Sequence, residues 1–168
     1  MRIEVLVDVK THLGEGPLWD AEDERLYWID STGMNVFRTT FDGREVRAWD
    51  LPQMIGSLAI RKNGGAVLSL RRGFHFLDFA SGNVTLIHDP EPGMPDNRLN
   101  DGKVDKRGRF FAGSMDTMET GKNAANEAVE NDSEVPGQAS GRKGEGREGR
   151  GIWRRVVFRV FRGRGLPL

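Results

Sequence analysis

The sequence predicts an all-β protein assembled from a repeating unit of four short strands. Three observations carry the prediction. Apolar bursts are cut by turn residues at short intervals, no stretch holds a helical apolar period, and glycine-opened segments recur at spacings of 40 and 46 residues. The 22 glycines are roughly twice the average share for a chain of 168 residues, as a turn-rich fold requires.

The first unit reads as strands over Pro17 to Asp20, Arg25 to Ser31, Asn35 to Phe41 and Glu45 to Leu51, linked by Ala21-Glu22-Asp23-Glu24, Thr32-Gly33 and Asp42-Gly43. The Asp-Gly pair is a hairpin signal, because both residues accept the positive φ that tight hairpin turns demand. The second unit follows in the same order: Gly56 to Arg61, Ala66 to Arg71, Gly73 to Phe79 and Asn83 to His88, joined through Asn63-Gly64-Gly65, Arg72-Gly73 and Ser81-Gly82. A third opens at Gly102 and reaches Arg109 to Met115 before the pattern stops. Gly16-Pro17-Leu18, Gly56-Ser57-Leu58 and Gly102-Lys103-Val104 open the three units, each followed by a polar turn and an apolar strand. Four strands at this period are the mark of β-propeller blades, which stack radially and bury their faces on one another. A β-sandwich of evenly spaced hairpins is the competing arrangement.

Composition bounds the rest. With no cysteine, the chain has no disulfide, thiolate metal site or cysteine nucleophile. Its start has no long apolar segment and no run approaches a membrane span, so a soluble, cytoplasmic protein is expected. The zero net charge hides a division: residues 1–120 hold 15 basic and 19 acidic side chains, and residues 121–168 hold 10 and 6. Residues 1–120 read as the folded portion. Residues 121–150 carry almost no large apolar side chain, too little buried surface to offset the entropy of ordering, so this Gly/Arg-rich tail is expected to be disordered. The chain ends in a basic and apolar segment, residues 151–168.

Three stretches resemble the family of senescence marker protein (regucalcin), the gluconolactonases and related lactone hydrolases. They are Leu13-Gly14-Glu15-Gly16-Pro17-Leu18-Trp19-Asp20, then Leu26-Tyr27-Trp28-Ile29-Asp30, and Asn97-Arg98-Leu99-Asn100-Asp101-Gly102-Lys103-Val104-Asp105 running into Gly108 to Met115. The resemblance covers residues 3 to about 120 and implies a six-bladed propeller, of which this chain would supply about two and a half blades. It also implies hydrolysis of sugar lactones with a divalent cation of the calcium, zinc or magnesium type on the axis.

The site residues can be read beside the resemblance. Glu15 stands one position before the first repeat glycine, and Arg98 and Asn100 stand four and two before the third. All three are therefore expected at one end of an innermost strand and at one mouth of the channel. Residues 98 and 100 share a face of a strand, with Leu99 turned away. A carboxylate suits a hard cation, and a guanidinium beside an amide suits sugar oxygens. The resemblance makes Glu15 a metal ligand and Arg98 and Asn100 substrate-binding, and it assigns no catalytic residue. The family's other ligands, an Asn and an Asp that is also the expected general base, have no counterpart after Thr120.

Other residues read as structural. Asp101-Gly102 is turn chemistry, and Trp19, Trp28, Phe74, Phe76, Phe110 and Phe111 are expected to pack between blades. His12, His75 and His88 lack metal-ligand spacing. Asp116 and Glu119 lie where the family carries an acidic substrate contact, but their register is ambiguous and neither joins the site.

A closed ring at this period needs roughly 250 to 300 residues. The expectation is therefore a chain whose metal binding is weak, whose turnover is absent, and whose unpaired blade edge promotes self-association. A change of reading frame or a wrongly assigned exon near Thr120 is the expected source of the tail's composition, since the boundary falls inside a motif. Nine basic against two acidic residues between Arg142 and Arg164 would suit a nucleic acid, but a charge run alone does not make a binder, and none is expected. A propeller remnant that binds without turnover is the alternative function.

Overall fold

The computed structural model describes residues 2–118 together with the strands at 126–129 and 154–155. Residues 14–50 form a four-stranded antiparallel meander of β1 (Gly14–Asp20), β2 (Arg25–Asp30), β3 (Asn35–Thr40) and β4 (Val46–Asp50). A second meander comprises β5 (Ile55–Ile60), β6 (Ala66–Leu70), β7 (Gly73–Leu77) and β8 (Val84–His88). The third sheet begins with the antiparallel pair β9 (Asn97–Val104) and β10 (Phe110–Asp116). No helix occurs among the described residues, and so none there is long and apolar enough to cross a membrane.

Two features depart from expectation. Strand β9 starts at Asn97, five residues before Gly102, so the whole Asn-Arg-Leu-Asn run lies within an inner strand. The third sheet is also more than a hairpin: β11 (Asn126–Val129) pairs antiparallel with β10, and β12 (Arg154–Arg155) pairs parallel with β11. Strand β11 thus falls inside the segment expected to be disordered. The open edge of β10 explains it, because its free N–H and C=O groups accept any passing backbone and ask nothing of the side chains. The rest of that tail lies outside the described residues.

The blades are held by two clusters on opposite faces of the second sheet. On one side Tyr27, Ile29, Val36 and Trp49 of the first blade meet Leu58, Leu68, Leu70 and Leu77 of the second. On the other, Ala59, Val67 and Phe74 meet Leu99, Phe110 and Ala112 of the third. Strand β6, Ala-Val-Leu-Ser-Leu, is buried at every position because it is the middle of this stack: residues 66, 68 and 70 face one neighbour and residue 67 the other. Phe79 closes the first seam, stacked on Tyr27 with centroids 5.4 Å apart and tilted against Trp49 at 4.6 Å. Trp49 Nε1 donates to the Phe79 carbonyl at 3.2 Å.

The aromatic expectation holds for Phe74 and Phe110, which are fully buried. It fails for Trp19, which is 41% exposed and meets Phe41 edge-on, while Trp28 stacks on Phe37 within its own sheet. Alternation alone assigns these rings to a face; whether a neighbouring blade covers that face is a tertiary matter.

Candidate functional site

Each unit's first strand is bulged near its repeat glycine. In β1, Glu15 pairs with Ile29 and Leu18 with Tyr27, so Gly16 and Pro17 stand opposite one residue, with Gly16 at φ +62°. In β5 the register slips at Gly56, between Ile55 and Ser57. In β9 it slips between the Leu99–Ser114 and Gly102–Ala112 pairs, leaving Asn100 and Asp101 opposite Gly113. A bulge turns the strand and re-aims the residues beside it, and here those residues include Glu15 and Asn100.

Strands β1 and β9 both pack against β5, which gathers the beginnings of the three inner strands at one mouth. Glu15 is exposed there, and Arg98 and Asn100 are half-buried, with Leu99 between them turned into the core. Burial works to lower the pKa of Arg98; the charge of Glu15 opposes this and that of Arg71 reinforces it, leaving the guanidinium below its ordinary value. An arginine so shifted still carries its charge. Glu15, Arg98 and Arg71 therefore share one field. Arg98 Nη1 reaches the Leu99 carbonyl at a long 3.4 Å, and no described carboxylate closes an ion pair with Arg98. Arg71 does not stand out in the sequence; only its position in a turn beside β9 makes it part of this mouth.

The strand that carries Arg98 and Asn100 is anchored from behind. Ser57 and Ser69 are buried and hydrogen-bonded to each other, their hydroxyl oxygens 2.6 Å apart, and both lie within reach of the Asn100 carbonyl, at 3.2 and 3.1 Å, so that one hydroxyl donates to its neighbour and the other to the carbonyl. The bulge makes this possible by turning that carbonyl out of the β9–β10 ladder. Replacing both serines by alanine leaves the carbonyl without these donors, and a loss of about 2 kcal/mol is expected in urea unfolding. Upstream, Arg72 pairs with Asp89 at 3.1 Å and donates to the carbonyls of Met94 (3.0 Å) and Pro92 (3.4 Å), tying down the loop that leads into β9. Glu91 accepts from Asn97 Nδ2 and Ser114 Oγ, both at 3.0 Å, fixing the strand's first residue next to Arg98.

The other half of the mouth depends on Asp30. Its carboxylate accepts the backbone N–H of His12 at 2.7 Å and those of Leu13 and Gly33 at 2.9 Å, holding the segment that leads into β1 just before Glu15. Burial acts to raise its pKa, and the three N–H donors outweigh it and keep the carboxyl below the usual range. Asp116 is buried and accepts the N–H of Met118 at 2.8 Å, as a turn-capping group does. Glu119 lies outside the described residues.

Among the described residues no group of three or more His, Asp or Glu stands where it could hold a metal ion. A calcium-like cation takes six to eight oxygens, and Glu15 offers two beside guanidinium groups that repel a cation. This donor set does not by itself hold a metal.

A four-stranded meander buried on both faces between its neighbours, with bulged inner strands gathered at one polar mouth, defines a β-propeller-type protein. The chain belongs to the SMP-30/gluconolactonase/LRE-like family, whose model matches residues 13–141. It is 37% identical to regucalcin of Xenopus laevis over 115 residues, covering 68% of this chain and 38% of that protein. Its identity to the L-arabinolactonase of Azospirillum brasilense is 34% over 113 residues, covering 67% and 37%. The crystal structure of the calcium-binding protein regucalcin from Agrobacterium tumefaciens superposes with a TM-score of 0.68 at 25% identity, over 74% of this chain and 42% of that one. The chain thus spans less than two fifths of the length of the two curated relatives.

Proposed function

We propose that this chain carries the substrate-holding part of a sugar-lactone hydrolase site, incomplete for turnover in the described residues, with Arg98 and Asn100 as the groups that hold the substrate. The observation that carries the reading is the pair itself: a half-buried guanidinium with no described counter-ion, two residues from an amide on the same face of an inner strand. A guanidinium donates to ring, carbonyl and hydroxyl oxygens, and an amide both donates and accepts, which matches a polyhydroxylated ester. Membership of a family with an L-arabinolactonase among its relatives supports the substrate class. Glu15 is assigned as one carboxylate ligand of a divalent cation, of the calcium, zinc or magnesium type, whose full shell needs donors beyond the described residues. That the Agrobacterium relative is a calcium-binding protein supports a cation.

A binding module without turnover is the second reading, favoured by the lack of a complete cation-ligand set among the described residues. One experiment separates the two. The 168-residue chain is given a sugar lactone and acid release is followed with and without EDTA, while calorimetry reads binding of a slowly hydrolysing 1,4-lactone. We expect binding without turnover above the uncatalysed rate. Arg98→Ala should weaken lactone binding about tenfold or more, and Glu15→Gln should lower further a calcium affinity that is already weak while leaving lactone binding largely intact. Chelator-sensitive turnover by the chain would overturn the binding-module reading, and lactone affinity untouched by Arg98→Ala would overturn the assignment of the site.

A further inference from the structure

The turn between β6 and β7 is made of two arginines, and they do different work. Leu70 pairs directly with Gly73, so Arg71 and Arg72 form a two-residue hairpin turn, with Gly73 at φ +94°. Because β5 runs away from the mouth and β6 returns to it, this turn lies at the mouth beside the start of β9. Arg72 is consumed structurally by Asp89 and the carbonyls of Met94 and Pro92. Arg71 is exposed, and its side chain has no hydrogen bond or ion pair among the described residues. Its backbone is fixed on both sides: its N–H donates to the Met54 carbonyl at 2.8 Å, and its carbonyl accepts the N–H of Leu99 at 3.4 Å. That second bond places Arg71 next to Arg98 across the seam between the second and third blades.

Two guanidinium groups thus flank the mouth with Glu15 the carboxylate that shares their field. Like charges held this close raise each other's energy, and an anion placed between them relieves it. We propose that Arg71 is a specificity residue that receives the anionic substituent, a carboxylate or sulfonate, of an acidic sugar lactone whose ring is held by Arg98 and Asn100. The inference rests on the lactone reading above. The planar fork of arginine matches a carboxylate or sulfonate in two-point hydrogen bonding. Arg71 sits at the exposed rim and Arg98 deeper, so the substituent lies outward of the ring.

The test measures binding of four probes to the full chain by calorimetry at low ionic strength: galactono-1,4-lactone (neutral), glucaro-1,4-lactone (bearing a free carboxylate), gluconate (the ring-opened acid) and inorganic sulfate. The acidic lactone should bind about tenfold more tightly than the neutral one, a preference that shrinks toward unity as salt rises. Arg71→Gln should abolish the preference and Arg71→Lys should retain part of it, with circular dichroism confirming the fold of each. Equal affinity for the two lactones, or a preference that survives Arg71→Gln, overturns the proposal. Gluconate binding as tightly as the acidic lactone assigns Arg71 to the product's carboxylate and overturns the substrate assignment. Sulfate binding lost in Arg71→Gln, with no affinity for either lactone, keeps the cation pair but rejects the lactone reading. No affinity for sulfate or for the acidic lactone rejects the cation pair itself.

Discussion

Gly56→Ala is expected to lower the free energy of unfolding by about 3 kcal/mol, near the upper end for overpacking a rigid seam. A Cβ on Gly56 would stand 2.2 Å from the Asn100 carbonyl oxygen and 2.5 Å from its carbonyl carbon and Cα. These are backbone atoms of a neighbouring strand, so no side-chain rotation relieves the contact. The strand must withdraw, and with it go the Ser57 and Ser69 bonds and the position of the Asn100 side chain. Gly93→Ala is the control: a Cβ there meets nothing within 4 Å and the φ is unremarkable, so a change within about 0.5 kcal/mol is expected. Urea unfolding measures both, and calorimetry with galactono-1,4-lactone should show that Gly56→Ala weakens binding even where the protein remains folded. Equal stability for the two variants would mean that β5 and β9 are not locked as described.

The second large effect is expected at Asp30. Asp30→Ala removes the acceptor of three backbone N–H groups in a buried setting and should cost about 3 kcal/mol, whereas Asp30→Asn keeps the shape and one acceptor oxygen and should cost about half as much. The charge makes the effect depend on pH. Burial raises the pKa of Asp30 and the Leu13, His12 and Gly33 amides lower it further than burial raises it, so its folded pKa lies below its unfolded one. Such a group stabilises the fold above its unfolded pKa, at roughly pH 4, and the contribution is lost as the pH falls through the folded value. The gap between wild type and Asp30→Asn should therefore be full at pH 7 and shrink on acidification. An acid limb will remain in the variant, because Asp105 is held low in the same direction: burial raises its pKa, and bonds from Arg109 and Arg107 outweigh this. A wild type and Asp30→Asn that differ equally at pH 7 and pH 3 would rule out the carboxylate as the anchor of the segment leading into β1. Loosening that segment should also weaken whatever Glu15 binds.

Much of this is legible in the sequence. Turn residues and alternation place nine of the ten strands of the first two and a half blades to within three residues at either end, since the Gly and Asp-Gly steps that interrupt apolar bursts are the same ones the backbone uses to reverse. The expected opposition of Leu99 to Arg98 and Asn100 is present, because a strand has a strict period of two. The start of β9 escapes such reasoning: Pro95 and Asp96 read as loop, and what makes Asn97 a strand residue is its pairing with Asp116, far along the chain. Trp19 misleads for the opposite reason, a local pattern that is correct with no neighbour to complete it.

By itself the sequence determined the repeat, the strand order, the blade type and the identity of the residues that carry the family's motif, because each is written in local spacing and in turn chemistry. The tertiary structure alone decided what lies against what. It set the serine pair beneath the Asn100 carbonyl, the close approach at Gly56, the three amides on Asp30 and the arrival of Arg71 beside Arg98. None of these has a local signature. A side chain's face follows from its own strand, but its partner is chosen by how strands distant in sequence pack, and bulges, which shift one strand against another by a single residue, are set by that packing.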